Sequence, residues 1–222
     1  MQTVLLAAGP LSAGTLSAQV LERGTFRLWI DGTEAGSEQF TIQRQGTGGA
    51  QTTEARSIVS MRDGRRLDTH LEVVGPELTL VQYLAVETGL DTMSVTLSWT
   101  GDRLRTRTVT DWGLKVRGYR ARPATFVFDE GVAHHYFVLA GFAAADAVGR
   151  TMHVFSRTSD GIKPIEVTGT GPETIEWGGE RIEATRVDFG AGVAAGTVWF
   201  DGSGRLVRVS LPGRGFVAER SP

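Results

Sequence analysis

DEGVAHHYFVLAGFAAADAVG, residues 129–149, decides how this chain is read. It is the one segment long enough, and free enough of breakers, to form a proper helix. Val132, Tyr136, Leu139, Ala140 and Ala143 fall on one helical stripe, and Phe137, Val138 and Phe142 cover much of the remainder. A helix that is apolar nearly all round is normally buried. Everything on either side reads as short strands, so the expected place of burial is the concave face of a curved sheet.

Period two governs those flanks. Phe26, Leu28 and Ile30 share one face against Thr25, Arg27 and Trp29, and Phe40 with Ile42 starts a partner strand after a loop. Leu71 and Val73 form a further run, and Leu78, Leu80, Leu84 and Val86 another. Met93, Val95, Leu97 and Trp99 alternate with Ser94, Thr96 and Ser98, the pattern of a half-buried antiparallel strand. Leu114 to Tyr119 and Thr125 to Phe128 complete the first half. The second half predicts strands at 151–156, 162–168, 181–189, 195–200, 206–211 and 216–219. Asp-Gly pairs at Asp31-Gly32, Asp63-Gly64, Asp160-Gly161 and Asp201-Gly202 predict hairpins, because both central residues of a type I′ turn need positive φ. Asparagine is absent, so Asp-Gly or Gly-Gly must serve wherever Asn-Gly otherwise would. With one helix available, repeated parallel βαβ units are excluded. The expected fold is mainly β: a single large curved antiparallel sheet, an open or half barrel, with one central apolar helix at about 131–146.

Composition narrows the function classes. The formal net charge is −2 among 222 residues, which offers no basic field for nucleic acid. Cysteine is absent, excluding disulfides, thiolate metal sites and a cysteine nucleophile. The opening run MQTVLLAAGPLSAGTLSA, residues 1–18, is uncharged from Val4 to Ala18 and ends in small residues, as a signal peptide does. It lacks a preceding Lys or Arg, and Leu16 is large for its place. The expectation is a signal peptide or disordered N-terminus at 1–18, then one β domain at 19–222, exported to the periplasm or beyond; a cytoplasmic chain is the alternative. No stretch of the mature chain is expected to cross a membrane.

Catalytic patterns are weak. His134 and His135 are adjacent, and neighbouring helical residues diverge by roughly 100°, so they are not expected to share a metal. The expectation is one solvated and one hydrogen-bonded histidine near the helix start. A hydrolase using either with Asp129 is the weakest reading. There is no G-x-S-x-G elbow. Glu173, Glu176, Glu180 and Glu183 fall on expected turns and outer faces. No catalytic residue, metal site or cofactor is expected. Arg103, Arg105 and Arg107 line one strand face, which suits either an anionic head group or a solvated surface.

Three stretches carry a resemblance. They are Gly36-Ser37-Glu38-Gln39-Phe40, then Phe128-Asp129-Glu130-Gly131-Val132-Ala133-His134-His135-Tyr136 with Leu139, and Trp199-Phe200-Asp201-Gly202-Ser203-Gly204-Arg205-Leu206. They resemble exported bacterial half-barrel domains, the domain of unknown function 3108 and its relatives, similar in shape to the Lol-type lipoprotein carriers. The resemblance implies an open barrel whose concave apolar face shelters lipid chains, and it implies no catalytic residues. The expected function is therefore a non-enzymatic binding protein for a lipid or other amphipathic envelope ligand. Tyr136, Phe137, Leu139 and Phe142 would meet the apolar part, and Arg105 and Arg107 its polar end. The alternative is a scaffolding domain with a filled core that acts through an envelope protein partner.

Overall fold

The computed structural model describes residues 19–89, 91–100, 102–120, 122, 124–159 and 161–222, so the N-terminal run expected to be a signal peptide lies outside the described residues. Among the described residues, fifteen strands form one sheet. The N-terminal half comprises β1 (Gln19–Ile30), β2 (Thr33–Gln45), β3 (Thr52–Met61), β4 (Arg66–Val74), β5 (Thr79–Thr88), β6 (Met93–Thr100), β7 (Arg103–Thr110) and β8 (Gly113–Arg120). The C-terminal half comprises β9 (Thr125–Val127), β10 (Thr151–Phe155), β11 (Lys163–Trp177), β12 (Glu180–Phe189), β13 (Gly196–Asp201), β14 (Leu206–Leu211) and β15 (Phe216–Arg220). Their order is β8-β7-β6-β5-β4-β3-β2-β1-β15-β14-β13-β12-β11-β10-β9. The first and last strands, β1 and β15, pair and join the two halves, with Phe26 opposite Arg220 and Ile30 opposite Phe216. The sheet then curls until β9 lies against β5 and the Tyr119 ring of β8 stands 6.2 Å from Phe155 of β10. This is the mainly β, curved, open sheet that the alternation predicts.

One pairing departs from the antiparallel expectation. β9 and β10 run parallel, with Thr125 beside His153 and Val127 beside Phe155. A parallel pair requires a crossover of a dozen or more residues. Residues 128–150 supply it, and they pass through the concave interior. The topology therefore places the apolar segment inside the curl.

That segment is helical as expected, but it takes the 3-10 form over His134–Phe142, with a further short turn at Ala145–Ala147. We call His134–Phe142 the plug. Its sequence does not enforce the α form, since aromatic and β-branched residues are indifferent α-formers and Gly141 adds cost. With three residues per turn, positions three apart eclipse. Tyr136, Leu139 and Phe142 thus form one buried row, and His135 and Val138 another, while Ala140 is exposed. Such a long 3-10 run is uncommon, since runs usually stop at about three or four residues. Tertiary contacts on every side hold this one, and its buried side chains belong to the same core as Phe26, Leu28, Leu71, Leu97, Val187 and Val209.

The turns refine the hairpin reading. Asp31-Gly32 has the two positive φ angles of a type I′ turn, 49° and 75°, and Gly178-Gly179 repeats them at 61° and 85°. β2 starts directly after the first of these turns, with no intervening loop. At Asp63-Gly64 and Asp201-Gly202 the chain makes longer loops, in which Gly64 and Gly204 alone take positive φ. Asp160 lies outside the described residues. β11 is far longer than predicted, because Gly169, Gly171 and Pro172 disguise its second half. Glu173 and Glu176 therefore stand in that strand, and Glu180 and Glu183 in its partner, rather than on turns.

Gly36 shows how closely the strands approach. A Cβ there would collide with the Ser60 carbonyl oxygen and stand 3.0 Å from the Met61 Cα. Gly36→Ala is expected to destabilise the fold by about 1–3 kcal/mol, as overpacking does, measured by urea denaturation. An unchanged midpoint would show that β2 and β3 separate freely at this point.

Candidate functional site

The start of the plug meets two buried carboxylates. Glu38 on β2 is fully buried, and its Oε2 accepts hydrogen bonds from the backbone N–H groups of Ala133 at 2.7 Å and His134 at 3.2 Å. Its Oε1 lies 2.5 Å from His134 Nδ1, and the two share a hydrogen bond. No side chain of the plug caps its own first turn. Glu38 does so from a strand 95 residues earlier, and its negative charge faces the turn's exposed N–H groups. The His134 ring stacks on Phe40 at 5.9 Å, and Phe40 stacks on Phe26 at 5.2 Å. Glu38 and Phe40 thus reach the plug from one strand face, two positions apart.

Asp129 is the second anchor. Its carboxylate accepts hydrogen bonds from Tyr83 Oη at 2.5 Å, Ser156 Oγ at 3.1 Å, and the N–H groups of Glu130 at 3.1 Å and Arg157 at 3.2 Å. The Arg157 Nε lies 2.9 Å from it, and Arg157 also pairs with Glu87. Burial pushes the Asp129 carboxyl above its ordinary range, against the pull of Arg157 and Tyr83. Four donors and a guanidinium around one carboxylate suit its ionised form. Burial also raises the Tyr83 phenol well above its usual value, and Asp129 adds to that. Arg157 loses something to desolvation, but Asp129 and Glu87 outweigh the loss and hold its guanidinium above the ordinary value.

The two histidines therefore depart from the expectation of one solvated and one bonded ring. Both are fully buried, with centroids 4.5 Å apart. The Asp129 N–H donates to His135 Nδ1 at 3.4 Å, and the Tyr83 ring meets His135 edge-on at 5.3 Å. Burial drives the His135 pKa well below its usual value, and His134 and Arg157 add to the effect. Neither Nε2 has a hydrogen-bond partner among the described residues. No group of three or more His, Cys, Asp or Glu is placed to hold a metal ion among them. The polar cluster locks the segment: Asp129 holds its start to β5 and the loop after β10, and Glu38 holds its first turn to β2.

A cavity of about 400 Å3 opens beside this lock. Its walls are Ile30, Val59, Met61, Leu67, Met93, Leu211 and Phe216, and its polar lining is Arg65, Arg66, Glu87, Glu130, Arg157, Thr158 and Arg214. A second cavity of about 330 Å3 lies at the other end of the plug, against Phe142, Val138, Leu80, Trp99, Phe126 and Arg150. Leu80 and Glu87 sit near opposite ends of β5, so the two cavities are separated along the strand by the filled middle of the curl. A larger hollow of about 950 Å3 lies across β1–β5, where Arg23, Arg56, Ile58, Asp68, His70 and Leu84 contribute to its lining.

The residues expected to bind a ligand are not brought together. Leu139 is fully buried and Phe137 packs partly against the core. Tyr136 stacks on Phe128 at 4.5 Å and lines a recess of only about 120 Å3. Phe142 meets Phe126 edge-on at 6.0 Å at the far cavity, with the Arg150 guanidinium 4.9 Å from its ring. Arg105 and Arg107 are exposed on β7, outside both cavities. Sequence reasoning passed over Tyr83, Glu87, Ser156 and Arg157. Their chain separation from Asp129 hides them, and only Glu38 lay within a stretch that the sequence had marked.

His135 provides a pH test. Its folded pKa is depressed from 6.5, so below that pH the unfolded chain gains a proton that the folded chain refuses. Stability from this residue is present above pH 6.5 and lost as pH falls, by up to about 1.4 kcal/mol per pH unit. Urea denaturation from about pH 7 to about pH 5 is expected to show a flatter profile for His135→Gln than for the natural chain. Parallel profiles would mean that His135 takes up its proton in the folded state.

No family model matches this chain, and no curated protein matches it. Among solved structures it is similar to the crystal structure of a beta-barrel-like protein of domain of unknown function DUF1849 from Brucella abortus. The two share 10% identity at a TM-score of 0.49, over 90% of this chain and 94% of that one.

Proposed function

We propose that this chain is a non-enzymatic binding protein for a small amphipathic molecule, taken up in the cavity of about 400 Å3 beside Asp129 and Gly131. Ligand sites are typically concave, about 300–1,000 Å3 and mostly apolar, with a few placed polar groups. This cavity has that make-up. Met61, Leu67, Met93 and Phe216 would receive an apolar chain, and Arg65, Arg66 and Arg214 would meet an anionic end group. The coexistence in one cavity of apolar walls and four arginines (Arg65, Arg66, Arg157 and Arg214), against the two carboxylates Glu87 and Glu130, is the observation that carries the reading. The carboxylates and histidines nearby are engaged in holding the plug, Glu38 at its first turn and Asp129 with Tyr83, Ser156 and Arg157, which is a structural use of these groups.

We further propose that the chain works in the cell envelope, as expected from its N-terminal run and from its resemblance to the exported half-barrels and Lol-type carriers. The ligand would then be a lipid or a lipid fragment. Among the described residues no helix is long and apolar enough to cross a membrane. A scaffolding role is the second reading. It draws on the filled middle of the curl, where the plug and both halves of the sheet form one continuous core.

Titration with a dansyl-labelled medium-chain fatty acid separates the two. The binding reading expects saturable binding that weakens about tenfold or more, at least 1.4 kcal/mol, when Met61→Trp fills the cavity, while Phe142→Ala at the other cavity leaves the affinity unchanged. No binding by the natural chain, or equal binding by Met61→Trp, would favour the scaffold.

A further inference from the structure

The hairpin β7–β8 ends the sheet, with β6 on one side and, among the described residues, no strand on the other. Its tip carries Trp112, which is 90% exposed, more than any other large apolar residue described. The register sets the order of side chains behind that tip. Val109 pairs with Leu114, Arg107 with Val116, Arg105 with Gly118, and Arg103 with Arg120, and directly opposed residues share a face. That face runs from a tryptophan tip through Leu114 and Val116, 58% and 43% exposed, to a ladder of arginines farther back. Lys115 and Arg117 lie on the opposite face. Residues 103–120 thus hold six cations (Arg103, Arg105, Arg107, Lys115, Arg117 and Arg120) against one carboxylate, Asp111, which accepts from the Thr92 N–H at 3.3 Å. No carboxylate pairs with Arg105, Arg107 or Arg120 among the described residues.

We infer that the β7–β8 hairpin is a membrane-surface anchor, with Trp112, Leu114 and Val116 entering the headgroup layer of an anionic bilayer and the arginines meeting its phosphates. The graded order is what a lipid surface selects. Tryptophan and the aliphatic side chains next to it enter the interface, and the cations farther back stay at phosphate level. A protein partner that met the same face would leave the 90% exposed Trp112 to be buried by one pocket, with no use for the four arginines on the three rungs behind it. The anchor also lies where it would be useful. A recess of about 340 Å3 runs from Trp112, Asp111 and Thr110 to Arg65, Glu87 and Met93, and these last three also line the cavity of about 400 Å3. Docking by the hairpin therefore turns the mouth of that cavity towards the membrane. The inference stands on the hairpin alone and holds whatever the cavity binds.

Co-sedimentation with extruded vesicles tests it. The full chain is expected to bind phosphatidylcholine vesicles that contain phosphatidylglycerol, and to bind pure phosphatidylcholine far more weakly. Trp112→Ser is expected to weaken binding roughly tenfold or more, the loss of a buried aromatic group. Arg105→Gln with Arg107→Gln should weaken it roughly 25-fold, about fivefold per cation, and added salt should do the same. All three positions are exposed, so melting curves should match those of the natural chain, and affinity for the dansyl fatty acid should be retained. Failure to bind anionic vesicles, or variants that bind them as the natural chain does, would overturn the anchor. Loss of fatty-acid binding with vesicle binding intact would instead count against the cavity reading.

Discussion

A carboxylate with no access to water, held against the first turn of a buried 3-10 segment, is the constraint on which this structure depends. Glu38 has to be satisfied inside the barrel, and Ala133, His134 and the His134 ring are what satisfy it. Neither side stands alone. The plug has no cap of its own, and a buried charge stripped of its partners costs roughly 3–5 kcal/mol. The same pairing fixes the start of the plug against β2, on the face of the sheet that Phe26, Leu28 and Phe40 make apolar. Asp129 repeats the arrangement a few residues earlier, tying the start of the crossover to Tyr83 and Arg157.

The filled middle has a structural consequence. A half barrel with an empty concave face offers one long trough, whereas this one is divided by the plug into separate end cavities of about 400 and 330 Å3. The cavity beside Asp129 places apolar side chains and arginines within a single lining, to which the paired Glu87 and Arg157 of the lock contribute.

Much of the architecture was legible because period-two alternation is enforced wherever one face is buried. Met93 to Trp99 reads as a strand for that reason, and Val95 and Leu97 point inward as their spacing requires. Legibility failed where glycine and proline replaced the signal, as in the second half of β11, and where a helix is shaped by its surroundings. Residues 134–142 are apolar enough for an α-helix, but the pocket that receives them selects the 3-10 screw. The site was legible only in fragments. Gly36, Glu38 and Phe40 stood out as a spaced pattern, and the structure supplies its physical content: close strand approach, a cap and a stacking ring. Tyr83 and Arg157 carried no such mark, since nothing in their neighbours announces a partner 46 or 28 residues away. The arginines at 105 and 107 were visible from the start, but their position on a terminal hairpin, behind an exposed tryptophan, emerges only with the register.

Amide hydrogen exchange at Ala133 and His134, followed by NMR, tests the central claim most directly. If the Glu38 carboxylate holds the plug within the core, these two amides exchange only with global unfolding, as slowly as the innermost amides of β1 and β2. Rapid exchange at both positions, with those strands still protected, would show a plug that opens on its own and would contradict the account.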